Sequence, residues 1–223
     1  MAPAPETLIA LLRHGETQGG AYFRGSTDDP LTPLGWGQMR AAASGKPWTR
    51  IVSSPLRRCA EFAGELAARL AIPLELDERL REMHFGVWEG RSAAELMESE
   101  GDALTRFWRD PATFSPPGAE SLQAFQSRVL DAWNDLRKSM GKPTSTSLGG
   151  GLLPPSSPFD EEGNAQRMLL VCHGGTIRTI LCDVLRHPPE RLLELELELG
   201  HGALRWVRLG NDGTSSLLDE VAT

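Results

Sequence analysis

Two short blocks of the sequence end an apolar run in a histidine. Residues 8–15 read LIALLRHG and residues 168–175 read MLLVCHGG. A third block, SSPLRR at 53–58, ends in two arginines, and Arg13 stands directly before the first histidine. Imidazole can attack phosphorus and form a phosphohistidine. To do so it must be neutral, with its other ring nitrogen anchored on a carbonyl or carboxylate, and neighbouring arginines favour that neutral form. Guanidinium forks match phosphate oxygens two at a time. His14, His173 and arginines at one place would therefore make a phosphate pocket. A departing alkoxide also needs an acid, and LREMHFGVWEG at 80–90 offers Glu82 and Glu89, with Glu78 just before it.

Other chemistries fit these residues less well. His14-Gly15-Glu16 has the His-x-Glu spacing of zinc deaminases, but no Pro-Cys-x-x-Cys follows. There is no His-Glu-x-x-His, no cysteine cluster and no Gly-rich loop ending in Lys-Ser/Thr. The expectation is an enzyme without metal or cofactor. Several nearby residues take plainer readings. Arg57 is expected on a solvated helix surface, and Glu89 as a brace for local backbone. His84 is expected as a wall of the substrate mouth or a packed side chain, and His201 as turn chemistry, with a substrate contact as the alternative. Phe107, Trp108 and Phe114 are expected in the core.

The elements that must position the histidines can be traced along the chain. TLIALL at 7–12 and MLLVC at 168–172 are short, unbroken apolar runs, as expected of strands buried on both faces. If both are central and parallel, both histidines emerge at the same sheet end, where ligands of open α/β sheets bind. Gly15, Gly174 and Gly175 would let backbone approach a ligand there, and the helix opening after Gly175 would favour an anion. Thr32-Pro33 reads as a helix start, and Ser54-Pro55 as another after a strand at 50–53. Leu56, Cys59, Ala60, Ala63, Leu66, Ala67 and Leu70 trace one helix face. Leu74–Leu76 reads as a half-buried strand and Ser92–Glu95 as a capping box. Leu122, Phe125, Val129, Trp133, Leu136 and Met140 mark a long helix, and a further helix runs on from Gly175 to Arg186. Leu193–Leu199 alternates Leu with Glu, which predicts a strand forming a hairpin with 203–209.

The order predicts an α/β fold in three layers. A mostly parallel sheet carries helices on both faces, and a small helical lobe from about 92 to 140 lies over the active-site end. Length, 223 residues, suits one substantial core, so a single domain is expected. Of the 25 residues from 141 to 165, 15 are Gly, Pro, Ser or Thr, which reads as a flexible surface insertion. A net charge of −7 gives no bulk attraction for nucleic acid or an anionic membrane, so an anionic substrate needs a local arginine cluster. Cys59, Cys172 and Cys182 have no CxxC spacing and read as reduced thiols. With no leader-like or membrane-spanning stretch, a cytoplasmic protein acting on a small molecule is expected. Oligomeric state is open, a homodimer included.

Taken in order, RHGET, DDPLT, SSPLRR, LREMHFGVWEG, PPGAES and VCHGG resemble the histidine phosphatase (phosphoglycerate-mutase-like) superfamily. The resemblance covers nearly the whole chain except 141–165. It implies that His14 is the phosphorylated nucleophile and Glu82 the proton donor. It implies that Arg13, Arg58 and His173 hold the phosphate, with further substrate contacts from Arg24, Gly25 and Gly174. GWGQMRAA, the RIVSSPL block, MHFGVWEGRSAAELM and GHGALR most resemble bacterial α-ribazole phosphatases, which act in cobalamin nucleotide-loop assembly. A phosphoglycerate mutase, a broad-specificity phosphatase and a non-catalytic binding domain are the other readings of this fold. One departure stands out. Where the superfamily often has Asn, this chain has Gln18-Gly19-Gly20, and Arg24 is the candidate to supply the missing contact.

Overall fold

A computed structural model describes residues 7–140, 166–195, 197–210 and 212–218. The expected insertion at 141–165 lies outside them. Six strands form one sheet in the order β3-β2-β4-β1-β5-β6. β1 (Thr7–Arg13), β2 (Arg50–Ser53), β3 (Leu74–Leu76) and β4 (Arg167–Cys172) run parallel, whereas β5 (Leu204–Leu209) pairs antiparallel with β1, and β6 (Ser215–Leu218) pairs antiparallel with β5.

The two apolar runs are the central strands, and their composition follows from position. Leu8, Ala10 and Leu12 of β1 face one core, with Met39 of α1 (Pro33–Ala43) and Cys59, Phe62 and Leu66 of α2 (Arg57–Leu70). Ile9 and Leu11 face the other core, with Phe125, Val129 and Trp133 of α4 (Leu122–Ser139) and Ile177 and Ile180 of α5 (Gly174–Leu185). A strand covered on both faces has no wet side, so no polar residue interrupts it. Each fully buried aliphatic side chain contributes about 1.5–3 kcal/mol of transfer free energy, which keeps the strand ends fixed.

Local signals place most helices as expected. Thr32 caps α1 by accepting from the Gly35 N–H, with Pro33 in the first turn. Ser92 and Glu95 form the reciprocal capping box that opens α3 (Ala93–Arg109). α4 packs on α5 as part of a helical layer. The lobe over the sheet end is therefore built by α3, whose last turn carries Phe107 and Trp108, and the following loop. No helix among the described residues is long and apolar enough to cross a membrane. Cys59, Cys172 and Cys182 are free and buried.

Three expectations fail locally. α2 starts at Arg57, and Leu56 occupies the cap position with no side-chain cap. Ser54 lies two residues before that cap, its hydroxyl oxygen 2.8 Å from His173 Nε2 and accepting from the Leu56 N–H at 3.4 Å. β3 is exposed along its length, because it is the sheet edge beside β2 alone. The described residues of 193–199 form no strand, since Pro189–Glu194 form a 3-10 helix and β5 pairs with β6 and β1. The main-chain carbonyls of this segment instead accept from arginines. Arg178 donates to Leu195 at 2.6 Å and to Leu197 at 3.3 Å. Arg13 donates to Leu199, and Arg205 to Glu198. Side-chain donors stand in for a ladder, so the period-2 pattern forms a wall beside the sheet end.

Candidate active site

The register of β1 and β4 pairs Arg13 with Cys172, so His14 and His173 leave the sheet side by side. Their ring centroids lie 5.3 Å apart, edge to face. His14 Nδ1 sits 2.8 Å from the Gly15 carbonyl. A carbonyl only accepts, so Nδ1 carries the proton and Nε2 keeps its lone pair. Burial first, then the charge of Arg58, and further Arg13 and His201, hold His14 well below the usual imidazole pKa. The ring is thus neutral and tautomerically set for attack.

Arg58 is fully buried. Its NH1 donates to Thr27 O at 2.7 Å, NH2 to Gly25 O at 2.9 Å and Nε to His173 Nδ1 at 3.2 Å. Since Arg58 can only donate, Nδ1 of His173 accepts, and its Nε2 donates to Ser54 Oγ at 2.8 Å. His173 therefore has both nitrogens engaged and holds Arg58 in place. Arg13 donates to Leu199 O, while its buried Nε has no partner. Among the described residues no carboxylate lies within 4.0 Å of either guanidinium. Both cations feel the charge of Glu82 without forming an ion pair with it, and desolvation still works against them, so an anion that joins them is favoured.

Glu82 closes this space from the other side. Its Oε2 accepts from the Gly175 N–H and its Oε1 from the Met83 N–H, each at 2.9 Å. Glu89 is placed differently. Burial works against its ionisation, but hydrogen bonds from Ser26, Thr27 and Phe85 hold its pKa down at about 2. It braces the 26–27 loop and is a poor proton donor. Glu78 pairs with Arg81 at 2.7 Å on the surface.

The glycines have protein neighbours rather than a ligand against them. A Cβ at Gly15 would stand 2.2 Å from Gly35 O, and one at Gly25 would stand 2.1 Å from Met83 O. At Gly175 it would stand 2.4 Å from Glu82 Oε1, so glycine there is what lets the carboxylate dock on the helix N-terminus. Gly174 sits against the Arg13 guanidinium, a Cβ there being 3.5 Å from Nε. We predict that Gly175→Ala pushes Glu82 aside and lowers kcat by roughly 10²-fold, with KM little changed. A steady-state comparison checks this; an unchanged kcat would refute it.

Arg24 donates to Asp29 at 2.6 Å and to the carbonyls of Gln18 and Gly20. It braces the turn in which Gly19 and Gly20 take positive φ, 92° and 85°. Arg57 is exposed and paired with Glu61. His84 accepts from the Gly86 N–H in a turn.

Sequence reasoning missed the roles of Ser54 and Trp108, and left His201 between a turn and a substrate contact. Ser54 orders the imidazole behind Arg58. Gly202 N–H donates to His14 O at 3.3 Å, which brings the His201 ring within 5.7 Å of the His14 ring. Trp108 is 46% exposed and lines the pocket, not the core. Phe107 serves both core and pocket, and Phe114 packs on Trp88. The SSPLRR and GHG blocks held the signal for Ser54 and His201, but only the tertiary fold shows what they touch.

His173 is likewise held well below the usual imidazole pKa, by burial first and then by Arg58 and His14. An unfolded chain protonates both histidines below about pH 6.5, whereas the folded one does not. Their contribution is therefore a loss of stability as pH falls from about 6.5 toward the folded pKa values. The slope reaches at most about 2.7 kcal/mol per pH unit. Urea melts from pH 8 to 5 check this; rising stability on acidification would refute it.

A neutral imidazole facing two guanidiniums that form no ion pair among the described residues, with the Glu82 carboxyl group near them, is equipment for moving a phosphoryl group. The sequence matches the histidine phosphatase superfamily (branch 1) over residues 9–145 and 159–219. The chain belongs to that superfamily and is a phosphatase, a class that hydrolyses phosphate esters. It is 32% identical over 206 residues to the glucosyl-3-phosphoglycerate phosphatase of Mycobacterium tuberculosis, covering 90% of this chain and 84% of that one. A Hydrogenobacter thermophilus protein named as a phosphoserine phosphatase is 32% identical, covering 78% of this chain and 76% of that one. The solved structure of mycobacterial glucosyl-3-phosphoglycerate phosphatase with inorganic phosphate superposes with a TM-score of 0.74. It is 27% identical, covering 97% of this chain and 98% of that one. The adenosylcobalamin/alpha-ribazole phosphatase of Salmonella typhimurium is more distant, at 25% identity over 85% of each chain.

Proposed function

We propose that the protein hydrolyses a small phosphomonoester through a phosphohistidine on His14. The observation that supports this best is that the fully buried Arg58 and the partly buried Arg13, neither in an ion pair among the described residues, act on the neutral His14. In the first step His14 Nε2 attacks phosphorus in line. The P–O ester bond breaks, and the leaving oxygen takes a proton from Glu82. Arg13 and Arg58 hold the equatorial oxygens, and their charges stabilise the transferring group. In the second step Glu82, now a carboxylate, accepts a proton from water as that water attacks phosphorus. The P–N bond breaks, and His14 is restored with release of phosphate. His173 and Ser54 keep Arg58 aimed, and Arg24 and Gly25 support the loop that receives it.

Two substrates are proposed within this chemistry. α-Ribazole phosphate, hydrolysed to α-ribazole, rests on the GWGQMRAA, MHFGVWEGRSAAELM and GHGALR blocks. A glucosylated phosphoglycerate rests on the higher identity to the mycobacterial phosphatase. Phosphate release from both compounds and from 3-phosphoglycerate, with EDTA present, separates them. Mutase product from 3-phosphoglycerate with a bisphosphoglycerate primer, and no net hydrolysis, would overturn the phosphatase reading.

A further inference from the structure

Beside Arg13, Glu82, Gly174 and Gly175 opens a cavity of about 310 Å3. A bound ester must send its alcohol there, because Glu82 has to reach the leaving oxygen and lines the same space. Its other walls are Phe23, Phe85, Phe107, Trp108, Phe125 and leucines that include Leu193. Phe23 and Phe85 pack edge to face at 5.2 Å, and Phe85 and Phe107 at 6.2 Å, so this wall is set before any ligand arrives. Trp108, by contrast, stands at the mouth, 46% exposed, as does Leu193 at 40%. Beyond Arg13 and Glu82, the charged group lining the cavity is Arg178, and it donates to the carbonyls of Leu192, Leu195 and Leu197. Such a wall rewards apolar surface, and it offers a second anionic group little that would replace its water.

We infer that the substrate is a phosphomonoester whose alcohol bears an uncharged aromatic group, seated against Phe85 and Phe107 and covered by Trp108. The inference rests on the phosphatase reading and narrows it to a substrate class. It disfavours esters carrying a carboxylate next to the phosphate, the glucosylated phosphoglycerate among them, and favours the other of the two proposed substrates.

The test compares primary alkyl phosphates, so that leaving-group acidity differs little. These are 2-phenylethyl phosphate, glycerol 3-phosphate, 3-phosphoglycerate and phosphoserine. The expected kcat/KM for 2-phenylethyl phosphate exceeds that for each of the others by roughly 100-fold. Trp108→Ala should cut that advantage by about tenfold, through KM, and Trp108→Phe should restore most of it. Equal rates, a preference for either carboxylated ester, or a W108A loss shared equally by all four esters would overturn the inference. Absence of turnover on every ester, together with no phosphate label on His14, would instead overturn the phosphatase reading and this inference with it.

Discussion

Alanine at position 14 is expected to reduce turnover by at least about 10⁴-fold while the protein still folds. Nothing else at the sheet end can replace the ring. His173 is 5.3 Å away, but Arg58 and Ser54 occupy its two nitrogens. His201 is 5.7 Å away on a turn and lacks the carbonyl anchor that gives His14 its tautomer. The fold should tolerate the change, because the His14 side chain bonds only to the carbonyl of the next residue. Acid-quenched labelling with a phosphorylated substrate should show phosphate on His14 in the parent protein and none in the variant. A variant that keeps near-full turnover would remove His14 from the mechanism. So would an active parent whose label sits elsewhere.

Replacement of Arg58 has the next largest effect. Arg58→Met removes one phosphate-facing cation and the donor to three acceptors, and kcat/KM is expected to drop by roughly 10³-fold. The stability change is a difference of opposing terms. The carbonyls of Thr27 and Gly25 and the His173 nitrogen each lose a donor, at about 1–3 kcal/mol apiece, while a buried charge is removed. Inorganic phosphate discriminates between them, because only a chain that binds the anion is stabilised by it. The melting temperature of the parent should rise with phosphate and that of Arg58→Met should not. Arg58→Lys is expected to recover little. An ammonium cannot span Thr27, Gly25 and His173 at once, as the fork does. If Arg58→Lys stays within tenfold of the parent, charge alone suffices and the fork geometry is not needed.

How much of this was legible in the sequence differs by residue, for physical reasons. The runs 8–12 and 168–172 announce central strands because burial on both faces leaves no polar position. Once they are parallel neighbours, His14 and His173 must meet. Thr32, Ser92 and Glu95 are legible because a cap is local chemistry within four residues. Ser54 looks the same in sequence as those caps, yet its hydroxyl bonds to a histidine 119 positions away. The Leu–Glu alternation from 193 was legible as a wet and a dry side. It did not reveal that arginines from β1, α5 and β5 would take the acceptors a neighbouring strand would have used. In sequence Gly15 and Gly175 look like room for a ligand, but the atoms that need the room belong to Gly35 and Glu82. Trp108 at the end of α3 carries no sign in its own surroundings of the cavity that it borders.

The way that wall is held also separates inheritance from invention. Arg178, Arg13 and Arg205 grip the 192–199 segment by its main-chain oxygens, which every amino acid supplies. An exchange of an exposed side chain such as Leu193 therefore leaves that grip in place. Leu192, Leu193 and Leu199 form part of the cavity lining, while one of the gripping groups, Arg13, also belongs to the reaction centre. A lineage could rewrite what the cavity accepts, residue by residue, and keep the same chemistry running beside it throughout.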